Sequence, residues 1–289
     1  MTASPFAREP AHMPDPYTTL RLDRREDGVA AVTIDHPPMN LLDGALIGDL
    51  NRLLDELAAA DDVRVVVLRS ADPDYFVAHA DLAMIRGLPR DAATATEVMR
   101  GIHGFMERWR TLDKITIAQI EGRARGGGSE LVLALDLRFA AIGRAVLSQP
   151  EVALGIIPGA GGTQRLARLV GRARALEIVT GCADFDAVTA ERYGWVNRAL
   201  PPDDLGPFVD ALASRIASFP AHAIRLAKEA IDAGAPPFDD GLAAERAAFA
   251  ATVADPLLDA RFDDAIAAGV QTRDAELDLD ALMGRLYRP

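Results

Sequence analysis

The chain has 289 residues, 49% of them hydrophobic and 26% charged, with a formal net charge of −12. That length suits one large α/β domain or two smaller ones, and the acidic balance argues against a nucleic-acid partner, which needs a basic footprint on the phosphates. The single cysteine, Cys182, rules out an internal disulfide and any multi-cysteine metal site, and reads as a plain buried small residue.

Residues 1–15 are rich in proline and lack periodicity, so they read as a disordered tail without the apolar core of a signal peptide. No apolar run is long enough to cross a membrane; Leu131–Ala141 is interrupted by Asp136 and Arg138. The expectation is a cytoplasmic protein with no membrane partner. Tyr17–Leu22 and Val29–Ile34 alternate as strands around a turn at Glu26-Asp27-Gly28. Asp43 is a candidate N-cap for a helix running to Ala60, with Leu46, Leu50, Leu53, Leu54 and Leu57 on one face. Val63–Leu68 suits a strand buried on both faces; a helix over Ala92–Leu112 and a strand over Ile115–Ile120 continue the alternation. Repeated strand–helix units predict α/β architecture over residues 16–202. Pro201-Pro202-Asp203-Asp204 then breaks the chain. Periodicity beyond it predicts only helices, at 207–218, 221–233, about 238–252, 256–269 and 277–287. Residues 203–289 thus read as a helical segment packed on the core or on a neighbouring subunit.

Three stretches carry chemistry. Gly126-Gly127-Gly128-Ser129-Glu130 follows a strand and opens a helix, where free amides favour an oxygen anion. A crowded turn that needs glycine for steric reasons alone accounts for the run equally well. It lacks the third glycine of a dinucleotide fingerprint, as does Gly159-Ala160-Gly161-Gly162. In Phe76–Leu82, Asp81 is placed to cap a short helix over 82–87 and leave the Ala80 amide free, so that two amides from separate loops meet at one oxygen. In Gln149-Pro150-Glu151 the apolar neighbours Val152, Leu154 and Ile156 would desolvate the carboxyl and raise its pKa into acid/base range. An exposed glutamate at 151, and a dipole-compensating one at 130, are the plainer readings. The five histidines, at 12, 36, 79, 103 and 222, show no metal-ligand spacing, so no metal is expected.

Together with Ile117–Gly122, Asp136-Leu137-Arg138 and Leu154–Leu166, these residues resemble the crotonase superfamily, the enoyl-CoA hydratase/isomerase family. Pro38-Met39-Asn40 and Gly194–Asn197 match its flanking motifs. The resemblance spans about Thr33 to Leu200. It implies a spiral of repeated ββα units with a helical C-terminal region, assembly as a homotrimer or dimer of trimers, and an acyl-CoA thioester substrate. No cofactor is implied beyond the coenzyme A that the substrate itself carries. It further implies that the Ala80 and Gly127 amides hold the thioester oxygen, that Glu130 activates water, and that Glu151 protonates Cα. Ala78, His79, Asp81, Leu82, Gly126, Pro158 and Gly159 are the implied substrate-contacting positions. Two carboxylates favour hydration of a 2-enoyl-CoA; Δ3,Δ2 isomerisation, which relatives perform with the second carboxylate alone, is the alternative. The chain departs from the pattern in several ways: Glu121 stands where asparagine is common, Arg125 where an apolar residue is, and the tail after Asp255 lacks the usual basic end. One extra residue lies between Asp136 and Glu151, expected in the turn Ala141–Ala145. His79 stands where glycine is usual and reads as a rim histidine. Ala83 replaces a lysine near the coenzyme A, leaving Arg86, Arg123 and Arg165 as possible phosphate donors.

Overall fold

The computed structural model describes residues 17–235 and 239–286; the predicted tail, 1–15, lies outside them. The elements run β1 (Leu20–Arg24), β2 (Val29–Ile34), α1 (Gly44–Ala58), β3 (Val65–Ser70), β4 (Tyr75–Val77), α2 (Leu82–Arg86), α3 (Ala92–Thr111), β5 (Ile115–Ile120), β6 (Arg123–Arg125), α4 (Gly127–Ala134), β7 (Leu137–Ala141), β8 (Val146–Ser148) and a 3-10 turn at Glu151–Leu154. Then follow α5 (Gly162–Val170), α6 (Arg172–Gly181), β9 (Phe185–Asp186), α7 (Ala187–Tyr193), β10 (Arg198–Leu200), α8 (Pro202–Ala217), α9 (Ala221–Ala233), α10 (Asp239–Val253), α11 (Leu258–Ala267), α12 (Arg273–Glu276) and α13 (Leu279–Leu286).

From β3 to β8, successive strands go to alternate sheets. The larger sheet has the order β1-β2-β3-β5-β7-β10 and is parallel except for the β1–β2 hairpin; the smaller is β4-β6-β8-β9. Each repeat therefore gives one strand to each sheet before its helical part: β3–β4, β5–β6, β7–β8. This is the ββα spiral that the resemblance implies. Buried β-branched runs such as Val65–Val67 fit a sheet covered on both faces. One face is covered by α8, whose Leu205, Val209 and Ala213 meet Val29, Val67, Ile117 and Phe139. The other carries the main core, where Leu46, Leu50, Leu53, Leu54 and Leu57 of α1 are buried as their spacing predicts, and Asp43 caps the helix by accepting from the Ala45 and Leu46 amides.

The C-terminal helices return to their own chain. α10 packs on α3, and Phe249, Val253, Leu258 and Phe262 form a second apolar cluster with Leu82, Met99, Leu154 and Ile156. Two boundaries differ from expectation. α8 begins at Pro202, not 207: Pro202 takes the first helical position, where its missing N–H costs least, and the helix continues through Pro207 in its interior. The helix expected over 277–287 is α13, which starts at Leu279, and a short unexpected helix, α12, precedes it.

All eight residues of α4 are buried. Its C-terminal carbonyls, Val132 and Leu135, accept from the guanidinium of buried Arg138 at 3.3 and 2.7 Å, and Arg138 Nε donates to the Trp195 carbonyl at 2.9 Å. Burial pushes the Arg138 pKa down to about 10.

Candidate active site

The site forms where the smaller sheet's strands end and α4 begins. Asn40 fixes the end of β4: its amide nitrogen donates to Ser70 Oγ and to the carbonyls of Tyr75 and Phe76, at 2.8 to 3.1 Å. The chain then passes through Ala78–Ala80 to Asp81, which caps α2 by accepting from the Ala83 amide at 3.0 Å. Against this loop lies the glycine run. A Cβ on Gly128 would stand 2.2 Å from the Val77 carbonyl oxygen, so only glycine lets α4 come this close. A Cβ on Gly127 would stand 3.3 Å from the Ala80 nitrogen. The Ala80 and Gly127 amides are thus neighbours, and no backbone acceptor among the described residues takes either one. Steric crowding and the paired amides hold together.

One turn into α4, Glu130 is buried at the wall of the same pocket, its Oε1 accepting from the Ala160 and Gly162 amides at 2.7 and 2.8 Å. Glu151 opens the 3-10 turn and lines that pocket too. The Gln149 amide, in the orientation that satisfies both its ends, donates to the two Glu151 oxygens at 3.0 and 3.1 Å. The β7–β8 turn, where the extra residue is expected, contains Gly143 with φ +75°, and Glu151 lines the same pocket as Glu130. Burial raises both carboxyl pKa values, Glu151 to about 8; for Glu130 the negative charges of Glu151 and Glu245 add to the rise. Two carboxyls that line one apolar pocket do not ionise independently.

The pocket encloses about 130 Å³. Beyond the polar end its walls are apolar, supplied by Met84 and Ile85 of α2, Met99 and Ile102 of α3, Ile156 and Phe249. Of the expected contact positions, Gly159 lines this pocket, and His79, Leu82 and Gly126 line a small adjoining one; Ala78, Asp81 and Pro158 line neither.

His79 corrects the expectation of a rim histidine. It is 7% exposed, with Nε2 2.9 Å from Glu276 Oε1 and Nδ1 2.8 Å from the Ala80 carbonyl. The possible phosphate donors are also engaged. Arg165 is buried against Glu107 and the Ala160 carbonyl, Arg123 bonds the Asp74 and Leu277 carbonyls, and Arg86 pairs with Asp263 on the surface.

Two further residues, His103 and Glu245, escape sequence reasoning. Glu245 of α10 is buried and accepts from the Gly161 amide at 2.6 Å, the Thr163 amide at 3.0 Å, the Thr163 hydroxyl and His103 Nε2 at 3.0 Å. It therefore ties down the loop whose Ala160 and Gly162 amides hold Glu130. His103 stands on the buried stripe of α3 with Ala95, Met99 and Met106, and a histidine on that stripe was the one available signal. Nothing local marks Glu245.

The chain resembles known proteins over most of its length. It is 35% identical over 229 residues to the short-chain-enoyl-CoA hydratase of Clostridium acetobutylicum, covering 78% of this chain and 86% of that one. The solved enoyl-CoA hydratase of Bacillus anthracis superposes with a TM-score of 0.70 at 32% identity, over 93% of this chain and 97% of that one. A Streptomyces avermitilis structure, named a "putative enoyl-CoA hydratase", gives a TM-score of 0.84 at 40% identity, over 93% and 98%. The family model for enoyl-CoA hydratase/isomerase matches residues 24–258, and the chain, with its spiral fold and its paired amides at the start of α4, belongs to that family.

Proposed function

We propose that the protein is a 2-enoyl-CoA hydratase. The observation that carries the reading is the placement of two buried carboxyls, Glu130 and Glu151, in one apolar pocket beside the Ala80 and Gly127 amides. The thioester oxygen accepts from both amides, so negative charge building on it during addition is stabilised by donors already in place. Glu130, with Oε1 held by two amides, keeps Oε2 for the water; it takes a proton as the oxygen bonds to Cβ. Glu151 delivers its proton to Cα, and the carbonyl re-forms. The product is the 3-hydroxyacyl thioester, with the catalytic proton moved from one carboxyl to the other. The short-chain specificity in the name of the Clostridium relative fits a pocket of modest volume with hydrocarbon walls.

Loss of the conjugated enoyl-thioester absorbance tests the reading. Wild type is expected to bleach short and medium 2-enoyl-CoAs, and Glu130→Gln and Glu151→Gln each to lose about 10²–10⁴-fold in rate. Undiminished hydration by either variant refutes it. An isomerase would instead convert 3-enoyl-CoA, with Glu130→Gln mild and Glu151→Gln severe. We further propose a homotrimer or dimer of trimers. Exposed Leu169, Leu226 and Ile231 give the chain an apolar surface that such packing would cover. Light scattering at three or six chain masses is the expected result, and a monomer refutes it.

A further inference from the structure

Behind the Ala80 amide lies a buried charged cluster that the proposed chemistry does not use. Both ring nitrogens of His79 face acceptors: Nδ1 the Ala80 carbonyl, which can only accept, and Nε2 the Glu276 carboxyl. The same Glu276 Oε1 accepts from the Gln271 amide at 2.9 Å, as an ionised carboxylate does. A neutral imidazole has one donor, so this geometry calls for the doubly protonated ring. Charge balance agrees. Arg125, fully buried, makes a paired contact with Asp184 (Nε to Oδ1 2.8 Å) and donates to the Glu276 carbonyl at 2.7 Å. With His79 charged, two cations meet two anions; with His79 neutral, a buried negative charge is left over.

The cluster touches the site on two sides. His79 precedes Ala80 in the chain. Gly126 separates its ring from Glu151: a Cβ there would stand 2.9 Å from Glu151 Oε1 and 3.4 Å from His79 Cβ. The ionisable groups facing His79 are Glu276 on α12, Arg125 on β6, Glu151 on the 3-10 turn and Asp81 beyond Ala80. Asp184 and Asp280 act through Arg125, and Glu245 bears on Glu151 from across the pocket.

We propose that His79 and Glu276 form a positioning pair: as imidazolium and carboxylate they fix the Ala80 peptide and hold a positive charge beside Glu151. Glu276 raises the His79 pKa against the opposing effect of burial, and the His79 charge favours ionised Glu151, in keeping with this. The proposal rests on the hydratase reading for its kinetic consequence but not for its charge state. The C-terminal segment thereby reaches the reaction centre without touching substrate.

Two variants separate charge from shape. Glu276→Gln removes the carboxylate charge at nearly unchanged shape; His79→Gln removes the ring. In either, the group that must stay protonated for addition loses a neighbouring cation, so the alkaline limb of the hydration pH profile moves up, by about 1 pH unit. Binding of the 3-hydroxyacyl-CoA product is expected to stay within about threefold while kcat falls about tenfold, the sign of a misplaced amide. An alkaline limb that coincides with wild type in the variants that fold overturns the proposal. Nitrogen-15 spectra of the histidine rings read the charge state without any activity: His79, assigned by its loss in His79→Gln, should show both nitrogens protonated at pH 8 in wild type and one in Glu276→Gln. A neutral ring in wild type also overturns the proposal. A wild type that hydrates nothing yet shows the charged ring refutes the hydratase reading alone.

Discussion

Glu245→Ala is the most informative perturbation, because one side chain is asked to order the loop that holds Glu130. Its carboxylate serves four donors. Removing it is not equally costly at all four. The Thr163 hydroxyl can rotate, and His103 Nε2 retains the Gly159 carbonyl at 2.8 Å. The Gly161 and Thr163 amides are left without their acceptor, and each unsatisfied buried donor costs about 1–3 kcal/mol. The expected destabilisation is therefore about 4 kcal/mol, near the top of what single substitutions do. Urea unfolding at fixed protein concentration measures it. Activity should fall further than stability explains, because Ala160 and Gly162, which hold Glu130, lie in the same loop. Glu245→Gln, which keeps one acceptor oxygen, should fall between. A loss below about 1 kcal/mol with hydration intact would refute the chain of positioning from α10 through the loop to Glu130.

Glu151→Gln should stabilise the protein in a pH-dependent way. Burial lifts the folded-state pKa to about 8 from an ordinary 4.5, so between these values the folded chain keeps a proton that the unfolded chain has lost. Stability from this group is full below 4.5 and declines as pH rises toward 8, by on the order of 4–5 kcal/mol in all. The variant has no such decline; urea midpoints at pH 5 and pH 8.5 should diverge in its favour, and equal differences at the two would refute the sign. Phe249→Ala removes the α10 side chain that closes the acyl pocket beside Gly159, and should shift kcat/KM toward longer 2-enoyl-CoAs, by about fourfold per added methylene that finds room. An unchanged chain-length profile would mean the tail runs elsewhere.

The fold was legible where local chemistry and packing agree. The leucine face of α1 and its Asp43 cap, and the β-branched β3, are written in adjacent residues. The glycine run was legible for the same reason, since a Cβ on Gly128 would stand 2.2 Å from the Val77 carbonyl oxygen and leaves no choice of residue. What was not legible depends on residues distant in sequence. His79 is a rim histidine until Glu276, 197 positions later, meets it. Glu245 looks like any surface acid of an alanine-rich helix until α10 docks on α3. Arg165 looks like a phosphate donor until Glu107 takes it. Each is an ionic partnership across the chain, and periodicity carries no record of such pairs.

The termini of α4 are treated differently. At one end its carbonyls accept from the buried Arg138 guanidinium, to which no carboxylate among the described residues is hydrogen-bonded. At the other, no backbone acceptor among the described residues takes the Gly127 amide. A helix carries about half a unit charge at each pole. Arg138 discharges the negative pole, so the helix presents its positive pole alone to whatever oxygen arrives. The positive pole that faces the pocket is thus a property of the folded chain, and it is sustained by an arginine outside that pocket's lining.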